Sequence, residues 1–140
     1  MKIHLPILFI IMLFSCSKQK SSEFAEEKGE GIIGRWKLVE LQGKNAEKEN
    51  YYISFNANGE ITASDFPCAG TYSFDEKAGE DIRNRNLTVS FKNCTPSSAL
   101  WYSIKTDINV RLLENGNILA FNSVDCDEGC NRTFRRLKGD

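Results

Sequence analysis

Five cysteines are the residues of this 140-residue chain best suited to chemistry: Cys16, Cys68, Cys94, Cys126 and Cys130. Cys16 ends an apolar N-terminal run and stands apart. The other four form an even set, which in an exported chain reads as two disulfides; zinc would also accept four thiolates. Export to an oxidising compartment favours disulfides. Asp125, Asp127 and Glu128 crowd the loop that holds Cys126 and Cys130, and calcium takes oxygen ligands at such density. The spacing fails the EF-hand pattern, and a short disulfide loop would strain the ligand geometry. A solvated acidic loop is therefore expected, with no metal and no cofactor. His4 is the sole histidine and sits in the N-terminal leader. Without it no Ser–His or Cys–His dyad can form. Paired cysteines leave no thiol nucleophile. Gly29-Glu30-Gly31 runs into a strand pattern, not a helix, so it is not a phosphate loop. No enzyme is expected.

The leader opens Met1-Lys2-Ile3-His4 and then runs apolar from Leu5 to Phe14. A mature membrane-spanning helix needs about 20 apolar residues. A basic start, a short apolar run and a small residue describe a secretory signal. Leu13-Phe14-Ser15-Cys16 resembles the bacterial lipobox. The resemblance implies cleavage after Ser15 and acylation of Cys16, with the lipid bilayer as partner. Several acyl chains on one residue hold stably where one holds marginally. Ser17, rather than Asp, follows Cys16, which by analogy with enteric lipoprotein sorting implies the outer membrane. Residues 1–15 are thus expected as signal peptide. Residues 16–30 are expected as lipidated N-terminus and flexible linker, because their charge and low apolar content cannot offset ordering entropy. Residues 31–140 form one domain of ordinary size. The 18 basic and 19 acidic residues nearly balance, so nothing draws nucleic acid.

The domain reads as strands. Ile104, Thr106, Ile108, Val110 and Leu112 alternate with Lys105, Asp107, Asn109 and Arg111. Leu87, Val89 and Phe91 alternate likewise. Trp36 and Leu38, Ile53 and Phe55, Ile61 and Ala63, Tyr72 and Phe74, Leu119 and Phe121, and the run from Thr133 to Leu137 mark the rest. Asn56-Ala57-Asn58-Gly59 and Glu114-Asn115-Gly116-Asn117 are hairpin signals, because Asn and Gly accept positive φ. A short helix over Pro96 to Tyr102 is the one helical expectation. The fold class is all-β: eight antiparallel strands in an up-and-down barrel, the closure that best removes exposed edges. Such a barrel has room for side chains or one small ligand. Strand phase with Trp36 and Leu38 points Glu40 inward.

Gly34-Arg35-Trp36-Lys37-Leu38 resembles the Gly-x-Trp signature of the first lipocalin strand. Phe55 to Gly59, followed by Gly70-Thr71-Tyr72-Ser73-Phe74, resembles lipocalin-like lipoproteins of Bacteroidetes. Cys68-Ala69-Gly70-Thr71-Tyr72 also resembles META-type lipoprotein domains, although the Asn that follows their Cys is absent. Closure would bring the first strand beside the last, placing Trp36 near Arg135 or Arg136 as a cation–π plug of one end.

In a meander the loops alternate between ends. Those holding Cys68, Cys94 and the Cys126–Cys130 pair then share one mouth, and the Asn-Gly turns close the other. Cys68–Cys94 and Cys126–Cys130 are the expected bridges. Trp101 and Tyr102 fall in the long mouth loop as an aromatic lid or packing anchor. The leading expectation is a monomeric binding module taking a small apolar ligand at the mouth. Leu38, Phe55, Tyr72, Phe91, Ile108, Val110 and Phe121 would line it. The same residues could fill the barrel instead. That is the second expectation: an interaction protein of the cell envelope, with an envelope protein as partner. Loop-mediated inhibition of another protein is the third.

Overall fold

The computed structural model describes residues 22–81, 83–92, 94–98, 100, 103–104, 108–122 and 131–139. The signal peptide, Cys16, Trp101, Tyr102 and the loop holding Cys126, Cys130, Asp125, Asp127 and Glu128 lie outside them.

Among the described residues the regular structure is nine antiparallel strands and two single turns of 3-10 helix. The strands are β1 (Gly34–Leu41), β2 (Lys44–Asn45), β3 (Tyr52–Phe55), β4 (Glu60–Ala63), β5 (Gly70–Phe74), β6 (Leu87–Ser90), β7 (Asn109–Leu113), β8 (Ile118–Asn122) and β9 (Arg132–Arg136). The 3-10 turns are Glu47–Glu49 and Lys77–Glu80. Apart from β2, which folds back on β1, the lateral order is β6-β5-β4-β3-β1-β9-β8-β7. With β2 set aside, each strand pairs with the next in sequence except β6 with β7, and β1 joins β9. Each of the eight expected strands has its counterpart, and β2 is additional. The described residues in 96–102 carry no helix.

The remaining seam lies between β6 and β7. Leu87 and Ile108 exchange backbone hydrogen bonds of 3.0 and 2.9 Å. One residue further on, the Asn86 side chain takes the place of a strand. Its Nδ2 donates to the Val110 carbonyl at 2.9 Å, and its Oδ1 accepts from the Val110 N–H at 2.7 Å. Gly79 permits this, since a Cβ there would lie 2.1 Å from Asn86 Nδ2. Asn109, expected on a wet face, is fully buried. The β5–β6 connection covers it, and its Nδ2 donates to the carbonyls of Asp81 and Asn84.

Strand phase fills the interior. Trp36, Leu38, Ile53, Phe55, Ile61, Leu87, Val89, Val110, Leu119, Phe121 and Phe134 are all buried and form one cluster. Glu40 departs from expectation and is exposed. The β1–β9 register jumps between Leu38 and Glu40, a bulge at Val39. One extra residue inverts the phase of everything after it. Leu41 therefore packs on the core and Glu40 faces water.

Residues 22–30, within the stretch expected as a linker, make contacts with the barrel. Phe24 is buried and pairs with Leu137, and the Arg135 guanidinium lies 4.4 Å from its ring centroid. The Ala25 N–H donates to Arg136, the Lys138 N–H to Glu23 and the Gly29 N–H to Asn115. Glu23 meets Lys37 Nζ at 2.7 Å. One apolar side chain and a run of backbone hydrogen bonds supply what composition alone did not promise.

Candidate functional site

The two ends of the barrel are built differently. At the closed end the Arg136 guanidinium stacks 4.2 Å from the Trp36 ring. It donates to the carbonyls of Gly31, Ile33 and Gly116. The Trp36 indole N–H donates to the Ile32 carbonyl at 2.9 Å. Gly34 has no Cβ to meet Arg136 Nη1, which would lie 2.7 Å away. Gly29 and Gly116 approach so closely that a Cβ on Gly116 would lie 2.3 Å from the Gly29 carbonyl oxygen. Residues 29–33 thus cross the barrel floor and seal it. Burial lowers the Arg136 pKa from its ordinary value.

The opposite, mouth end is joined by Cys68–Cys94, whose Cα atoms are 6.2 Å apart. Below that bridge lies a buried polar cluster. Tyr51 Oη donates to Asp65 Oδ1 at 2.9 Å and accepts the Ile104 N–H at 3.0 Å. Ser103 Oγ donates to Asp65 Oδ2. The Asp65 carbonyl accepts from the N–H and hydroxyl of Ser97. Arg132 Nη1 donates to the Ser103 carbonyl at 2.7 Å, and its guanidinium lies 5.3 Å from the Phe121 ring. Burial is the main cause that raises the Tyr51 pKa and lowers that of Arg132. The phenol therefore stays protonated and donating. Asp65 and Cys68 together hold Cys94, Ser97 and Ser103 of the β6–β7 connection. Two hydroxyls converging on one carboxylate make a lock between loops.

These cluster residues escaped the sequence analysis, but a signal existed. Tyr51, Asp65 and Arg132 lie two residues beyond the ends of inward series: 51-53-55, 61-63-65 and 132-134-136. Extending each phase by one step places them inside.

The expected lining residues divide. Leu38, Phe55, Ile108, Val110 and Phe121 are buried in the core, at most 5% exposed. Tyr72 is half-buried at the closed end, edge-on to Phe55, and its hydroxyl donates to the Asn56 carbonyl. Phe91 lies at the mouth end, stacked on Phe66 with centroids 3.8 Å apart. Gly70 makes room, since a Cβ would meet Phe91 at 2.7 Å. An open groove of about 1080 Å³ runs along the seam, lined by Phe74, Glu76, Lys77, Val110, Leu112 and Leu113 among others. It lies away from the expected mouth site. No metal-binding group of three or more His, Cys, Asp or Glu side chains occurs among the described residues.

No family model, curated protein or solved structure matches the chain. The fold and the two ends alone define its class: an all-β, nearly closed eight-stranded barrel whose mouth loops are joined by a disulfide.

Proposed function

We propose that this chain is a lipid-anchored envelope protein of lipocalin-like type that acts as an interaction module. Its filled barrel serves as a rigid frame for the mouth loops. The packed interior carries the reading. Five of the seven residues expected to line a ligand cavity are core residues, and Trp36, Phe134 and Leu119 fill the space between them. Protein interiors pack at the density of organic crystals, so an added ligand would have to displace side chains. Cys16 supplies the tether in this reading, and an envelope protein is the partner.

The test measures uptake of an apolar fluorescent probe by the folded protein. The expected result is no saturable binding. Stoichiometric uptake with an emission shift that survives Leu113→Asp would overturn the filled-frame reading and restore the interior carrier. A second reading places a small apolar ligand on the barrel wall. It is favoured by the seam groove, where Phe74, Leu112 and Leu113 come together. Probe uptake lost in Leu113→Asp would support that site.

A further inference from the structure

The docked N-terminal segment sets where an anchor can pull. Ser22 to Ile33 runs from the outer wall beside β9, past Asn115 and Gly116, and under the barrel floor to β1. Two independent clamps hold it: Phe24 against Leu137 and Arg135, and Gly29 against Gly116. Glu23 adds an ion pair to Lys37, a residue of the barrel wall.

We infer that this segment is an orienting strap. It holds the closed end of the barrel toward the membrane and turns the disulfide-joined mouth away, toward a partner. The inference rests on the Cys16 tether proposed above. Its physical basis is chain length. If the whole linker were free, the 18 residues from Cys16 to Gly34 would span roughly 60 Å and permit any orientation. With the strap docked, six residues separate Cys16 from Ser22, a span of at most about 20 Å. An eight-residue strand such as β1 is about 26 Å long. Even tilted, the wall with its mouth loops equals or exceeds the tether. A mouth-down pose would stretch the tether along the wall, whereas a floor-down pose leaves it slack. The mouth loops are then the surface presented outward, and the Asn56–Gly59 and Glu114–Asn117 turns face the lipid.

Full-length lipidated protein, reconstituted in phosphatidylcholine vesicles with nitroxide-headgroup lipid, tests this. A fluorescent unnatural amino acid is placed at Asn58, in the β3–β4 turn, or at Lys48, in the mouth-end 3-10 turn. The expected result is several-fold stronger quenching at Asn58. Equal quenching at both sites, in protein that floats with the vesicles, would overturn the strap alone. Phe24→Ser and Gly29→Val combined in one chain release both clamps and are expected to level the two signals. A difference that survives both substitutions, with the barrel still resistant to trypsin, would overturn the strap as its cause. Flotation equal in wild type and Cys16→Ala would instead remove the tether reading, and the orientation with it.

Discussion

Tyr51 shows what a single side chain does here. Its hydroxyl satisfies both a carboxylate oxygen and a backbone N–H in a buried place. Tyr51→Phe keeps the ring and removes both bonds, which is expected to cost about 1–3 kcal/mol in denaturant unfolding. The sign of its pH dependence follows from burial. The folded protein holds the phenolic proton more tightly than the unfolded chain, whose ordinary value is 10.0. That stability is fully present below about pH 10 and is lost as pH rises through the folded value. Lys37 is also raised, chiefly by its hydrogen bond to Glu23, and loses stability above its ordinary 10.5. Alkaline melts should therefore be flatter in Tyr51→Phe than in wild type, and less so in Glu23→Gln, because the Glu23 carboxylate is exposed and its ion pair is screened. A melt equally steep in Tyr51→Phe would remove the phenol from the account. At the floor, Arg136→Lys keeps the charge but not the fork that serves three carbonyls. A loss of about 1–3 kcal/mol is expected. Trp36 and its arginine were legible in the sequence, because closure alone makes the first and last strands neighbours. Tyr51, Asp65 and Arg132 required carrying strand phase past polar residues that read as loop.

At the scale of elements, strand phase and turn chemistry located eight strands, and the order follows from hairpins. The bulge at Val39 was not legible. Nothing in Leu38-Val39-Glu40-Leu41 distinguishes a continuous strand from one with an extra residue, and the choice is made by the pairing partner β9. The strap was hidden for a related reason. Its composition is that of a linker, and one phenylalanine with backbone bonds to the barrel orders it. The seam depends on Asn86 acting as a piece of strand. Asn86→Ala leaves the Val110 N–H and carbonyl without those partners and should cost about 1–3 kcal/mol. Amide hydrogen exchange should localise the loss: faster exchange at Val110 and Ile108 than at Phe134. Uniform acceleration across the barrel would show that the seam is not an independent element.

At the scale of the molecule, a sealed floor, a packed interior and a clamped mouth are, in the proposed reading, a frame rather than a vessel. Cys68–Cys94 closes a segment of sequence separation 26 between the mouth loops. Loop entropy alone predicts that Cys68→Ser with Cys94→Ser costs about 3–4 kcal/mol. The same variant is expected to lose partner binding before it loses the barrel, since the loops and not the core depend on the bridge. The sequence was ambiguous here for a physical reason. The residues that would line a ligand cavity are the residues that fill a core, and volume decides between them.

Native mass spectrometry of the protein purified from its native source decides the matter most directly. A filled frame gives a single folded mass with Cys68 and Cys94 oxidised and no small-molecule adduct. A reproducible apolar adduct, released only on denaturation, would contradict the filled frame and make the barrel a carrier.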